Sequence, residues 1–190
     1  MSFFLDFLSV NCGTMVALVG LFWAVGAFWW MNWRKGKIIT SVPRTYAALS
    51  QGRDGLLLVR LPLIFYNTGA ATIIIQNLQL VLEQNGGRSA ILYFNQTVSK
   101  LDARQESDWA KQFPVEGRKT HAAICEFLRK PGQFVFSAGC CTAILEAKFD
   151  NDRDWKVLHR ISLRTPAVYL ETLNSTGPLI PYDNDPDREG

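Results

Sequence analysis

The 190-residue chain contains few of the residues that most often carry catalysis or hold metals. It has 2 His and 4 Cys, and no two cysteines have the Cys-x-x-Cys spacing that is typical of structural zinc sites. No Gly-rich phosphate-binding loop and no repeat of about 20–50 residues is evident. These absences argue against zinc-binding, nucleotide-binding and solenoid proteins. We predict a protein that is not an enzyme and that uses no metal and no cofactor.

The residues that could take part in catalysis or metal binding form no obvious set. His121 and His159 each lie in an alternating apolar pattern, where a lone histidine is usually structural, whereas catalysis needs a nucleophile, a base and an orienting group together. The acids of the 150–154 segment alternate as in a calcium loop. The positions that an EF-hand fills with Gly and Glu hold Trp155 and Ile161 instead. We therefore interpret 150–154 as a solvated hairpin loop.

The four cysteines are Cys12, Cys125, Cys140 and Cys141. Adjacent residues of a strand point to opposite faces, so Cys140 and Cys141 are not expected to serve one site. We interpret the cysteines as small buried side chains in a reducing compartment. The alternative is a disulfide from Cys125 to Cys140 or Cys141, which would indicate an oxidising space.

Charge is absent over the 27 residues from Phe7 to Trp33. About 20 apolar residues cross a bilayer as a helix, whereas the core helix of a soluble protein rarely lacks a polar stripe over such a length. A cleaved leader would have a basic region before the run and small residues after it. Here Asp6 precedes the run and an aromatic cluster ends it. Residues 1–33 are therefore predicted to contain a transmembrane helix that stays attached.

The boundary of this run, "FWWMNWRKGK" at 28–37, has the composition of a membrane interface, where indole rings and cations are common. Its predicted interface residues are Trp29, Trp30, Trp33, Arg34, Lys35 and Lys37. The N-terminal flank has no Lys or Arg, and cationic flanks are retained in the cytoplasm. We expect the N-terminus outside and residues 34–190 in the cytoplasm. The alternative is an extracytoplasmic domain, as in many anchored β-sandwich proteins.

Small residues recur along the predicted helix at intervals of four and three. These residues are Gly13, Ala17, Gly20, Ala24 and Ala27. The spacing puts them on one helix face, where a second helix can approach closely. Gly and Ala are also common in any membrane span. We predict a helix-packing face whose partner is another transmembrane helix, in a homo-oligomer or a heteromeric complex.

The rest of the chain carries a mild positive charge that is unevenly distributed. Residues 34–60 hold six basic residues and one acid, whereas the end of the chain from Asp183 is acidic. The basic segment adjoins the predicted membrane, where each Lys or Arg near anionic headgroups contributes about 1 kcal/mol. Nucleic-acid binding would need a broader basic stripe with exposed aromatics. We predict membrane lipid as a partner and no nucleic acid.

The segment after the anchor reads as β-structure. In residues 56–83, two apolar runs with alternating polar positions flank "NTGAA", which has the composition of a turn. Pro62 is expected at an edge or a bulge. Further strands are predicted within 37–50, 90–95, 121–128, 140–149 and 155–164, and 99–113 reads as a helix. About seven short strands is the count of an immunoglobulin-like sandwich.

The pattern "LPLIFYNTGAATIIIQNLQL", with a "WKVL" strand much later in the chain, resembles immunoglobulin-like or fibronectin-type β-sandwiches of uncharacterised membrane-anchored prokaryotic proteins. The resemblance covers residues 37–165 and implies the architecture alone. It divides the chain into the helix (1–33), a basic juxtamembrane segment with the first strand (34–55), the β-sandwich (56–165) and a C-terminal extension (166–190). From about residue 174 the extension is expected to be flexible.

Two functions fit these features. The first is a single-pass, membrane-anchored β-sandwich that acts as a non-catalytic interaction or structural subunit of a membrane complex. The alternative is an anchored sensor or accessory domain that binds a small ligand or lipid. An exposed apolar patch would favour the interaction subunit. A concave apolar pocket with convergent polar groups would favour the ligand-binding domain.

Overall fold

The computed structural model describes residues 2–51, 55–84, 88–102, 107–132, 134–150, 152–175 and 177–185. The chain begins with the helix α1 (Ser2–Asn32), and most of the chain beyond this helix is β-structure. The strands are β1 (Ile38–Thr40), β2 (Thr45–Ser50), β3 (Gly55–Asn67), β4 (Ile73–Gln84), β5 (Arg88–Val98), β6 (Ser107–Trp109), β7 (Phe113–Val115), β8 (Thr120–Gly132), β9 (Gly139–Phe149), β10 (Lys156–Thr165) and β11 (Pro181–Asp183). A 3-10 turn (Ala167–Tyr169) and the short helix α2 (Leu170–Leu173) precede β11.

The strands belong to one 11-stranded sheet that curls into a half-barrel. Its main path has the order β10-β9-β4-β5-β8-β3-β2-β11, and β1, β6 and β7 pair beside this path with β3, β5 and β4. The recorded pairings are antiparallel. The predicted mainly β fold with one N-terminal helix is confirmed. The finer prediction of an immunoglobulin-like sandwich of about seven strands is not confirmed.

The core lies on one face of the curled sheet and follows the period of two that the sequence predicts. Along β3, Val59, Leu61, Leu63 and Phe65 are buried, while Ile64 on the other face is exposed. Alternating residues of β4, β9 and β10 complete the same cluster. The curl is therefore stabilised by apolar burial on one face of long strands, as expected for antiparallel sheets.

The predicted helix over 99–113 is wrong where the structure describes that segment. Residues 107–109 form β6 and pair with Gln96–Val98 of β5, and 113–115 form β7 and pair with the start of β4. Phe113 is buried against Phe65, with ring centroids 5.5 Å apart. Strand pairing and this burial outweigh the helical propensity of the segment. Residues 103–106 of the prediction lie outside the described residues.

The C-terminal extension also differs from the expected flexible tail. Leu173 and Tyr182 are buried in the core, and β11 pairs with β2. The side chain of Asn174 accepts a hydrogen bond from the backbone N–H of Phe136 at 2.9 Å and donates one to its carbonyl at 2.8 Å. The described residues up to 185 are thus part of the β-domain, whereas 176 and 186–190 lie outside the described residues.

Candidate membrane-proximal site

From Gly13 onwards, the N-terminal helix contributes no side chain to the core of the β-domain. Its segment Gly13–Asn32 is long and apolar enough to cross a membrane, and none of its most apolar window is buried. A signal sequence near an N-terminus has the same properties. The helix is continuous, so the small residues at 13, 17, 20, 24 and 27 do share one face. The first four are exposed and Ala27 is half-buried.

The predicted interface residues lie at the end of this helix and just beyond it. Trp29, Trp30 and Trp33 are 50%, 55% and 64% exposed, so their rings are available to a membrane interface. The Arg34 guanidinium lies 4.4 Å from the centroid of the Trp30 ring, a cation–π contact. Lys35 is exposed as well. These aromatic and basic residues lie together at the end of the helix, and their place at a membrane interface stays a prediction.

The segment after the helix is hydrogen-bonded directly to the turn between β3 and β4. The carbonyl of Arg34 accepts a bond from the N–H of Ala70 at 2.8 Å, and its guanidinium donates to the carbonyl of Thr68 at 2.8 Å. Lys37 exchanges bonds with the same turn: its N–H donates to Thr68 Oγ1 at 2.9 Å, and its carbonyl accepts from the N–H of Thr68 at 3.1 Å. The helix end is therefore fixed to the sheet rather than joined to it by a linker.

Two glycines make this contact possible. A Cβ atom added at Gly36 would lie 1.9 Å from the backbone nitrogen of Gly69, and one added at Gly69 would lie 2.0 Å from that of Gly36. Such distances are shorter than any van der Waals contact, so both positions need a residue without a side chain. The sequence predicts this role for neither glycine, because nothing local shows that residues 33 positions apart will meet.

Asn67 holds the 68–71 turn against the 116–119 loop, which lies at the same end of the sheet. Its side-chain amide donates to the carbonyls of Ala71 and Val115 at 2.8 and 3.0 Å, and its Oδ1 accepts from the N–H of Gly69 at 2.9 Å. Its backbone carbonyl accepts from the N–H of Arg118 at 3.0 Å. Asn67 is fully buried. The 116–119 loop is therefore held beside the 68–71 turn by one satisfied asparagine.

The loop between β9 and β10 completes this end of the sheet. Asp150 exchanges two hydrogen bonds with the backbone of Ile74, at 2.9 and 3.1 Å, and its carboxylate lies 4.0 Å from Lys35 Nζ. Asp152 pairs with Lys156 at 2.5 Å, which lowers the pKa of the Asp152 carboxyl and raises the pKa of Lys156. The alternating acids thus make contacts within the loop and across to the helix end, as in a solvated hairpin tip.

A cleft of about 670 Å³ opens between this loop and the segment after the helix. Apolar side chains of Ile38, Ile73 and Phe149 line it, together with three lysines and two aspartates: Lys35, Lys37, Lys156, Asp150 and Asp152. A second groove, of about 680 Å³, lies on the outer face of β3 and β8 and is lined by Val42, Pro62, Ile64, Val98, Ala122 and Ile124 among others. The β-domain therefore has both a polar-edged cleft and an exposed apolar groove.

The other chemical candidates of the β-domain lie on its strands rather than in the loops of this end. His121 stacks on Phe113 with ring centroids 4.5 Å apart, and His159 is half-buried on β10. Cys125, Cys140 and Cys141 are free thiols, and Cys140 is exposed. Burial raises the pKa of both Cys125 and Cys141 to about 12, so neither is a nucleophilic thiolate at neutral pH. Within the described residues, no group of three or more His, Cys, Asp or Glu is placed to hold a metal ion.

A buried ion pair lies on the face of the sheet opposite Val59 and Leu61, where the sequence predicts none. Arg60 of β3 makes two bonds to Glu126 of β8, at 2.8 and 2.9 Å, and both side chains are almost fully buried. Asn95 donates to the second carboxylate oxygen at 3.0 Å, and Arg60 also donates to the carbonyl of Leu101 at 2.8 Å. The pair is thus fully hydrogen-bonded and holds the 99–102 segment against the sheet. Sequence alone does not reveal which strands become neighbours.

Comparison with known proteins gives little further information. No family model and no curated protein matches the sequence. Two solved structures from Bacillus subtilis resemble parts of it: YcdA, a candidate lipoprotein, with 10% identity and a TM-score of 0.37, and the sporulation control protein Spo0M, with 9% identity and a TM-score of 0.34. The alignments cover 70% and 68% of this chain but only 38% and 50% of those chains. Similarity at this level carries no argument about function.

Proposed function

We propose that this protein is a single-pass, membrane-anchored β-domain that acts as a non-catalytic interaction or structural subunit of a membrane complex. The observation that supports this most is the exposure of α1. Its side chains from Met15 to Met31 contribute nothing to the core of the domain, so their apolar surface needs lipid or another helix as its environment. The five-residue small face on that helix suits close approach by a neighbouring helix.

The junction gives this anchor a mechanical role. Because residues 34–37 are hydrogen-bonded to the 68–71 turn, a change in the position of the helix is passed to the sheet without a flexible joint. The domain is therefore held in a fixed position relative to the membrane. The exposed apolar groove on β3 and β8 is a surface by which a partner protein would be held.

Substitution of the helix face tests this function. Gly20→Leu combined with Ala24→Leu fills the face where a partner helix would approach, and Phe22→Leu changes the opposite side of the same helix as a control. The proteins are isolated from native membranes in mild detergent. Wild type and Phe22→Leu are expected to retain a stoichiometric partner or a second copy of the chain, and the double variant is expected to lose it. Unchanged assembly with an intact sheet would contradict the proposal.

We further propose that the N-terminus lies outside and the β-domain lies in the cytoplasm, on the basis of the basic C-terminal flank of α1. In a Cys12→Ser background the exposed thiol of Cys140 provides a native probe, since Cys125 and Cys141 are buried. A membrane-impermeant maleimide is expected to modify Cys140 only after the cells are permeabilised, with Cys140→Ser as the blank. Modification in intact cells would reverse the orientation.

A second function is favoured by the cleft between 35–38 and 150–158. Its lining combines apolar side chains with three lysines and two aspartates, and this excess of one positive charge would suit a small anionic ligand, which would make the protein an anchored sensor or accessory domain. Lys37→Gln combined with Lys156→Gln should then abolish any ligand-induced rise in melting temperature and leave assembly unchanged. Loss of assembly with no ligand effect would favour the interaction subunit.

A further inference from the structure

We propose that the end of the sheet next to α1 docks on anionic phospholipid headgroups, so that the domain lies against the membrane on a surface of its own. We call this surface the membrane-proximal rim. It consists of residues 34–37, 68–72, 116–119, 150 and 152–156. The inference rests on the proposed membrane anchor. It adds a second, separate contact with the same bilayer.

The loops of the rim are held beside the end of the helix by hydrogen bonds and an ion pair. The first contact to the 68–71 turn comes from Arg34, two residues beyond the last residue of α1. Asn67 ties the 116–119 loop to that turn, and Asp150 lies beside Lys35. If Trp29, Trp30 and Trp33 lie at the bilayer interface, these loops are at or near headgroup level. Their position is set by the hydrogen bonds of the junction.

The charge of the rim suits an anionic surface. The rim contains seven basic and four acidic residues, an excess of three, which equals the formal net charge of the entire chain, +3. Three of its acids lie within salt-bridge distance of rim lysines: Glu116 with Lys119, Asp150 with Lys35, and Asp152 with Lys156. The guanidinium groups of Arg118 and Arg153 add two further charges. Clustered Lys and Arg next to a membrane span are attracted to anionic lipid.

Exposed apolar side chains lie beside these cations. Ile39, Tyr66, Ile74 and Val157 are 51%, 37%, 42% and 52% exposed. Ile39 pairs with Tyr66 across β1 and β3, Ile74 is bonded to Asp150, and Val157 follows Lys156. Mixed apolar and cationic surface is typical of protein segments that rest at the headgroup boundary. A protein partner would also accept such a surface, but continuity with the helix end favours lipid.

The chain contains a matched control for this surface. An Arg-Lys pair is found just before β8, at Arg118 and Lys119, and a second exposed Arg-Lys pair near its other end, at Arg129 and Lys130. About ten extended residues separate them, roughly 30 Å of strand. The screening length at physiological salt is about 8 Å. The distal pair therefore lies outside the reach of a surface on which the rim rests.

The test uses the full chain reconstituted in vesicles, with spin-labelled phosphatidylserine or spin-labelled phosphatidylcholine as the probe. A fraction of each spin-labelled lipid is motionally restricted by contact with the protein. The quantity measured is the restricted fraction of phosphatidylserine divided by that of phosphatidylcholine. Arg118→Gln with Lys119→Gln is expected to lower this preference for phosphatidylserine at least threefold. One basic residue near an anionic surface accounts for a factor of about five in affinity for that surface. Arg129→Gln with Lys130→Gln is expected to leave it unchanged.

Each other result has a distinct meaning. If wild type shows no preference for phosphatidylserine, or both pairs of substitutions have equal effects, the rim is not a lipid-docking surface. If the wild-type chain is removed from neutral phosphatidylcholine vesicles by an alkaline wash, the membrane anchor itself fails. Retention in neutral vesicles without lipid preference would therefore overturn this inference and leave the proposed function in place.

Discussion

The side-chain oxygen of Asn184 accepts a hydrogen bond from the backbone N–H of Arg164 at 2.9 Å. Asn184 follows β11 and Arg164 lies in β10, and these strands are the two ends of the strand order. Asn184 also donates to the carbonyl of Pro43 at 3.1 Å. The hydroxyl of Tyr46, on β2, donates to the carbonyl of Arg164 at 2.5 Å. Side chains rather than a strand pairing therefore hold together the two ends of the curled sheet.

Removing the Asn184 side chain should loosen this closure. Asn184→Ala loses one buried and one partly buried hydrogen bond and leaves the Arg164 N–H without this acceptor, at a cost of about 2–3 kcal/mol. For a protein of this size, that corresponds to a fall in melting temperature of roughly 5–10 °C. Asn77→Ala is the control, because the exposed Asn77 side chain bonds only the next backbone N–H. Equal melting temperatures for the two variants in detergent would contradict the role of Asn184.

The contact between Gly36 and Gly69 gives a prediction about the junction. In Gly69→Ala the new methyl group would overlap the backbone of Gly36, so the junction must open or distort, at a cost of about 2 kcal/mol or more. Limited proteolysis is expected to cut the variant within 34–37 much faster than wild type. Gly20→Ala is the control, since a Cβ there meets nothing within 4 Å. Wild-type protection of Gly69→Ala would show that the junction is not fixed.

The buried ion pair predicts an asymmetry between single and double substitutions. Glu126→Gln leaves the buried Arg60 charge without its carboxylate and should destabilise the fold by about 3–5 kcal/mol. Replacing both members, Arg60→Met with Glu126→Met, removes the charges together and should cost less than the single change. Urea unfolding of the sheet measures both. A double variant less stable than Glu126→Gln would show that the pair itself supplies net stability.

The buried thiols predict a loss of stability at alkaline pH. Folding raises the pKa of Cys125 and Cys141 from 9.0 to about 12, so the unfolded chain releases their protons first. The contribution of the two thiols to the free energy of unfolding is complete below about pH 9. It falls as the pH rises towards 12, by at most about 1.4 kcal/mol per pH unit for each thiol. Tyr46, whose pKa is also raised by burial from 10.0, adds to this only above about pH 10.

This pH dependence is measured as the free energy of unfolding between about pH 8 and about pH 10. Cys125→Ala removes one of the two buried thiols and should roughly halve the slope. A slope that does not change in Cys125→Ala would rule out this thiol as a source of the effect.

Features encoded in consecutive residues were predictable from the sequence. The alternation of apolar and polar residues located β3 and β4 with the turn between them, and it located β9 and β10 to within a residue or two. Pro62 was expected at an edge or a bulge. The structure pairs β2 with Leu57–Arg60 and β1 with Phe65–Asn67, so that Pro62 lies between these two pairings on β3. Its missing N–H is tolerated there.

Features that depend on which distant segments meet were not predictable. The order of strands, the pairing of β6 and β7, and the docking of β11 on β2 are set by packing over the entire domain. The same is true of the candidate site. Its tryptophans and basic residues were visible in the sequence, but the contact of Gly36 with Gly69 and the approach of the 116–119 loop require the folded sheet.

The central claim is that α1 stays attached and anchors the β-domain in a membrane. The most direct measurement is the intact mass of the protein recovered from native membranes after alkaline extraction. Our account predicts that the protein remains in the membrane pellet with the full chain mass of 21.4 kDa, residues 1–33 included. A soluble protein that lacks those residues would show α1 to be a cleaved leader and would contradict the account.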